Sequence, residues 1–88
     1  MKTAYRKRFL KDLAALPTGV RARIETFVFE TVPGADTLAE TGKVEKMRGY
    51  EHCYKVRFGD YRVGLIVRND TVYFERVLHR RDIYRYFP

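Results

Sequence analysis

Two dipeptides, Gly59-Asp60 and Asn69-Asp70, constrain the fold of this chain more than any other feature of its sequence. Each interrupts an alternation of apolar and polar residues, and a two-residue loop between alternating runs marks a β-hairpin. Three strands follow: Cys53 to Phe58, Tyr61 to Arg68 and Thr71 to Leu78. Tight hairpins fix register, so the faces are obtained by counting outward from each turn. Phe58 then pairs with Tyr61, Arg57 with Arg62, Val56 with Val63, Lys55 with Gly64 and Tyr54 with Leu65. The second hairpin pairs Val67 with Val72, Leu65 with Phe74, Val63 with Arg76 and Arg62 with Val77. One face is apolar, running from Tyr54 and Val56 to Phe74 and Leu78, with Arg76 as its one exception. The other carries Lys55, Arg57, Arg62 and Gly64, together with Cys53, Glu75, Val77 and His79.

That second face sets Arg57 directly opposite Arg62. Like charges in this position destabilise a ladder by a fraction of ~1 kcal/mol, which predicts a bound anion. Singly, each cation reads as part of a solvated sheet face; together with Gly64 the set reads as a phosphate site, the glycine leaving a recess beside Lys55. Charge over the whole chain agrees, with 18 Lys and Arg against 11 Asp and Glu and a formal charge of +7. The expected partner is therefore anionic, nucleic acid or an acidic protein. A membrane fits least, because no apolar run approaches the length of a spanning helix or a signal-peptide core. Cys53 is the only cysteine, so no internal disulfide is expected; the cytoplasm is the default compartment, and Cys53 reads as a packing residue. Two separated histidines and one cysteine predict no metal or other cofactor.

The preceding half is helical in period. After a short strand around Ala4 to Arg6, Phe9, Leu10, Leu13 and Leu16 recur at near-helical spacing, and Pro17 with Gly19 ends that helix. Val20, Ile24, Phe27 and Val28 form the stripe of a second helix, stopped by Pro33-Gly34. Ala35 to Lys43 reads as a loop, and Val44 to Met47 as a short strand. Residues 1–88 thus form one domain of α+β class. Two antiparallel N-terminal helices pack on a mainly antiparallel twisted sheet of about four to five strands, followed by a short C-terminal helix. In that last segment, starting near Arg80, Ile83 and Phe87 turn inward by their i, i+4 spacing, while Arg80 and Tyr84 share the adjacent face and reach the rim of the cationic one. Tyr84 reads equally as a core tyrosine with a wet hydroxyl. His79 is a secondary candidate for holding phosphate, Glu75 reads as an ion-pair partner, and Arg81 and Arg85 form a basic edge suited to an RNA backbone.

Gly49-Tyr50, YKVRFGDYRVG and LHRRDIY, behind two helices, resemble the RelE branch of the RelE/ParE superfamily, the toxins of type II toxin-antitoxin systems. The resemblance implies a RelE-like microbial RNase fold and an mRNA interferase: an endoribonuclease that inhibits translation by cutting mRNA in the ribosomal A site, silenced by a cognate acidic, RelB-like antitoxin. It assigns Lys55, Arg57, Arg62, Arg80 and Tyr84 to the catalytic set, with His79, Arg81 and Arg85 as substrate contacts. Arg57 and His79 stand where one subgroup has lysine, and the Gly59-Asp60 turn is shorter than in that subgroup. The implied reaction is metal-free transesterification by the RNA's own 2′-hydroxyl. In it Lys55 acts as base, Arg62 and Arg80 stabilise charge, and Tyr84 stacks on or orients the nucleotide. The competing expectations are a ParE-like inhibitor of DNA gyrase and a non-catalytic RNA-binding relative.

Overall fold

In the computed structural model, which describes Met1–Pro88, the chain opens on strand β1, Lys2–Tyr5, and enters helix α1, Lys7–Ala14. Arg6 supplies the extended residue between them, and Phe9 and Leu13 are the positions α1 buries. Leu10, counted in the same stripe, stays 42% exposed. Helix α2 follows Pro17 over Thr18–Thr26 and continues through a wider helical stretch, Phe27–Thr31, to a last turn, Val32–Gly34. It ends at Pro33-Gly34, where the sequence places its stop. Ile24, Phe27, Val28 and Val32 all face the core. A single tight turn, Leu38–Thr41, occupies the loop before strand β2, Val44–Lys46. Strands β3, Cys53–Phe58, β4, Tyr61–Arg68, and β5, Thr71–His79, complete the sheet, and Ile83–Tyr86 form the C-terminal helix.

The strand order is β1-β5-β4-β3-β2. Neighbours are antiparallel except β1, which lies parallel to β5, so the sheet is mixed. Both turns have the backbone their sequences demand. Asn69 and Asp70 take φ of 51° and 62°, the pair of positive angles of a type I′ hairpin, and Gly59 takes 58°. The β3/β4 register is the counted one, including Arg57 opposite Arg62 and Lys55 opposite Gly64.

The β4/β5 register follows the count only from Val67 opposite Val72 to Leu65 opposite Phe74. It then slips by one residue, so that Gly64 faces Arg76, Val63 faces Val77, Arg62 faces Leu78 and Tyr61 faces His79. Glu75 is the extra residue, and a one-residue slip turns every later side chain to the opposite face. Val77 therefore enters the core, while Arg76 leaves the apolar face on which the unbroken count had put it.

The cause lies in the N-terminal half. Strand β1 ends opposite Phe74, whose carbonyl accepts the Arg6 N–H at 3.1 Å, and Arg6 Nε then donates to Glu75 at 2.8 Å. One step further, the Asp12 carboxylate of α1 accepts from Arg76 Nε at 2.7 Å, Arg76 Nη2 at 3.1 Å and the Val77 N–H at 3.2 Å. The polar groups that a bulge frees are thereby satisfied by side chains more than sixty positions earlier, beyond reach of any local count. Hydrogen bonding to Asp12 is the main cause holding the Arg76 pKa above its ordinary value, against the opposing effect of burial.

Two cores result. The larger joins Phe9, Leu13, Ile24, Phe27 and Val28 to Val56, Val63, Leu65, Phe74 and Val77 between helices and sheet. A smaller one, Met47, Cys53, Ile83 and Phe87 with Ile66 and Leu78 against it, lies on the second face under the C-terminal segment. Ile83 and Phe87 turn inward as their spacing predicts. The Gly64 recess, expected to receive phosphate, is filled by Phe87: a Cβ on Gly64 would stand 2.5 Å from that ring.

Two stability outcomes follow. Gly64→Ala is expected to cost ~1–3 kcal/mol by overpacking against Phe87, and in a Gly64→Ala/Phe87→Ala double-mutant cycle by urea denaturation the two effects are expected to be less than additive. Asp12→Ala should cost about 2–3 kcal/mol, below the ~3–5 kcal/mol of a fully buried ion pair because both partners keep some contact with water. A loss under ~0.5 kcal/mol, the range of an ordinary surface change, would show that the bulge needs no such anchor.

Candidate nucleic-acid interface

A single cross-strand row organises the second face. Glu45 on β2 lies opposite Lys55, Lys55 opposite Gly64, and Gly64 opposite Arg76. The C-terminal segment sets one aromatic ring against each of the last three. Tyr84 meets Lys55, Phe87 covers Gly64, and Tyr86 lies against Arg76, whose guanidinium carbon is 5.4 Å from the ring centroid. Phe87 is buried and acts as the anchor, whereas Tyr84 and Tyr86 are 54% and 55% exposed. Both present ring surface to solvent on a strongly basic protein.

Lys55 Nζ donates to the Tyr84 hydroxyl at 2.9 Å and lies 5.1 Å from the ring centroid. The ammonium thus sits at the hydroxyl end of the ring, which leaves the ring face available for stacking. Beside this pair, two residues along the strands and so on the same face, stand Arg57 and Arg62. Arg57 Nε is 3.4 Å from Glu45, and Arg62 Nη1 donates to the Gly59 and Tyr61 carbonyls at 2.7 and 2.9 Å. The cost of the opposed arginines is reduced within the chain: each is drawn to its own oxygen partner, and no external anion is needed for the fold.

Arg80 is fixed to the same hairpin tip. Its N–H donates to the Asp60 carbonyl at 2.7 Å, and its Nε lies 3.8 Å from the Asp60 carboxylate. The helix begins at Ile83, three residues later than expected, so Arg80 belongs to the Gly59-Asp60 turn and does not share a helical face with Tyr84. Arg81 and Arg85 are exposed, as a basic edge requires.

His79 is corrected. The slip at Glu75 places it opposite Tyr61, on the helix-covered side of the sheet, with the two rings edge-on at 5.5 Å. Its Nδ1 accepts the Arg81 N–H at 3.1 Å, closing the turn after β5. It therefore does not join the Lys55 cluster. Glu75 is occupied by Arg6, and burial, the largest influence on Cys53, pushes that thiol up, so it is held as a neutral packing group.

Sequence reasoning missed Glu45. It introduces a carboxylate directly opposite Lys55 and in reach of Arg57, so the face is less uniformly cationic than the three longer strands suggest. The alternation Val44-Glu45-Lys46 was visible. Its register was not, because residues 47–52 join β2 to β3 without a two-residue turn from which to count.

Residues 4–84 match the family model described as ParE toxin of type II toxin-antitoxin system, parDE. Over 89 aligned positions, spanning the full length of both chains, the sequence is 40% identical to Toxin RelE3 of Methanocaldococcus jannaschii. Among solved structures, the fold superposes on the RelB-RelE antitoxin-toxin complex of Methanococcus jannaschii with a TM-score of 0.80 at 38% identity, covering 97% of this chain and 99% of that one. The RelBE2 toxin-antitoxin complex of Mycobacterium tuberculosis gives 0.69 at 22% identity, over 90% and 96% of the two chains, and so shares the fold. The chain belongs to the RelE/ParE superfamily and is the toxin of a type II toxin-antitoxin system.

Proposed function

We propose that this toxin is a ribosome-dependent endoribonuclease that cleaves mRNA through attack of the substrate's own 2′-hydroxyl on the adjacent phosphate. The observation that carries the reading is the 2.9 Å hydrogen bond between Lys55 and an exposed Tyr84, beside the opposed Arg57 and Arg62. A lysine able to exchange a proton, arginines able to grip phosphate oxygens and an aromatic face able to stack a nucleobase are the groups this reaction requires. Lys55, as the free amine, takes the proton of the 2′-hydroxyl and becomes the ammonium as that oxygen bonds to phosphorus. The bond to the 5′ oxygen breaks, leaving a 2′,3′-cyclic phosphate and, once that oxygen is protonated, a 5′-hydroxyl.

Arg62 and Arg80 flank the Gly59-Asp60 turn and stabilise the charge that builds on the phosphate. A guanidinium gives up its proton so reluctantly that charge stabilisation suits Arg80 better than acid catalysis. Arg57, exposed and only loosely paired with Glu45, can exchange that partner for a phosphate. The ribosome completes the alignment of message and site, since a face this open positions a flexible strand poorly by itself. Arg81 and Arg85 add backbone contacts. Silencing falls to an acidic antitoxin that covers the basic surface in the cytoplasm, a reading supported by the RelB partners named for the superposed complexes.

A second reading is inhibition of DNA gyrase, favoured by the ParE description of the matching family model. Purified protein incubated with programmed ribosomes, with breaks mapped by primer extension, separates the two when run beside a supercoiling assay. Lys55→Ala is expected to slow cleavage by about 100-fold or more, and Arg80→Ala by roughly 100-fold. His79→Ala is expected to stay within a few-fold of the unmutated protein, as its ring lies on the other side of the sheet. Lost supercoiling with intact mRNA would reverse the assignment.

A further inference from the structure

The C-terminal segment divides the second face in two, and the half away from Lys55 has no part in the chemistry described above. Across Gly64, about two strand spacings or ~10 Å from Lys55, Tyr86 borders two adjoining clefts. One, of about 370 Å³, is lined by Arg6, Lys7, Arg8 and Arg76 with Phe87 at its wall. The other, of about 530 Å³, continues past Arg8 to Lys11. Beyond Arg6 a further hollow reaches Arg68 and Tyr73. The furrow is thus cationic along its length. Its two carboxylates, Glu75 and Asp12, are both engaged by arginines, Arg6 and Arg76. Lys7, Arg8, Lys11 and Arg68 form no ion pair with any carboxylate of the chain. Two tyrosines are interleaved with these charges: Arg6 lies 5.0 Å from the Tyr73 centroid and Arg76 5.4 Å from that of Tyr86.

We infer that this furrow is a second nucleic-acid site, which grips the phosphodiester backbone of single-stranded RNA through Arg8 and Lys11 and stacks an unpaired base on Tyr86. A positively charged groove with exposed aromatic platforms is the general solution for holding a single strand without sequence preference. An acidic protein segment would use the same charges but gives no reason for a half-exposed tyrosine braced by a guanidinium. The inference rests on the reading that the protein acts on RNA, and it extends that reading from a point of cleavage to a path. Strand coming from the Lys55-Tyr84 site crosses the C-terminal segment that covers Gly64 and enters the furrow. The RNA is either the message itself or a ribosomal strand beside it.

The test uses a fluorescent single-stranded oligoribonucleotide whose 2′-hydroxyls are methylated, so that it binds without being cut. Tyr86→Ala is expected to weaken binding by roughly fivefold to a hundredfold, the range for loss of one base stack. Tyr86→Phe should bind as the unmutated protein does. Arg8→Glu and Lys11→Glu should each weaken binding and reduce its salt dependence by about one charge, with thermal melts confirming that each variant folds. Unchanged binding by Tyr86→Ala overturns the inference. So does equal loss in Tyr86→Phe, or displacement of the oligonucleotide by polyglutamate with an affinity equal to its own, which would assign the furrow to an acidic protein. On programmed ribosomes, a photoreactive uridine analogue in the message cross-links to the furrow if the message fills it, and ultraviolet cross-linking to ribosomal RNA identifies the other source. Either cross-link supports an RNA site, and absence of both overturns it. A missing Tyr86 effect with cleavage intact removes this inference alone. Tyr86-dependent binding without any cleavage removes the nuclease reading alone.

Discussion

The Asp12 carboxylate holds together the part of the molecule on which everything else is built. It binds the Arg76 guanidinium through two nitrogens and accepts the Val77 N–H, while the neighbouring Arg6 takes Glu75. Without those partners, an extra residue in β5 would leave unpaired backbone and a misdirected arginine; with them it becomes a stable fault. The fault then sends Val77 into the main core and Leu78 to the smaller one. It also turns Arg76 into line with Gly64 and Lys55.

That alignment explains why the C-terminal segment docks where it does. Gly64 is the one position in the row without a side chain, and Phe87 fills the space above it so closely that even a methyl group would collide. With Ile83 buried beside Phe87, the segment is pinned by apolar contacts from beneath, and its two tyrosines are left to stand on either side. A glycine that seemed to open a recess for a ligand instead opens one for the protein's own ring. The exposed aromatic surface on either side of Gly64 is a consequence of that packing.

Charge is arranged with similar economy. Every arginine bordering Lys55 has an oxygen partner of modest strength, whether Glu45, the Gly59-Asp60 turn or the Asp60 carboxylate. Exposed pairs of this kind are worth only ~0–1 kcal/mol, enough to hold a side chain in place and weak enough to yield to a phosphate. The fold therefore holds without a bound anion, and these side chains remain free to exchange internal partners for external ones. Arg76, by contrast, is committed to Asp12 in a largely buried pair and serves architecture.

What the sequence determined by itself was whatever depends on near neighbours. Alternation and the two short turns were enough to set β3 against β4 residue by residue, and helical spacing with Pro17 and Pro33-Gly34 located α1 and α2. Ile83 and Phe87 were legible as inward-facing because i, i+4 spacing is a local property. The tertiary structure alone decided whatever depended on groups far apart in the chain. The bulge at Glu75 needs Arg6 and Asp12, and so the sides of His79, Val77 and Arg76 were beyond a count that assumed an unbroken ladder. The parallel pairing of β1 with β5, the place of Glu45 opposite Lys55 and the ring of Phe87 over Gly64 are likewise contacts between distant segments. Periodicity tells a side chain which way to point relative to its neighbours, but only the assembled molecule fixes what waits on that side to meet it.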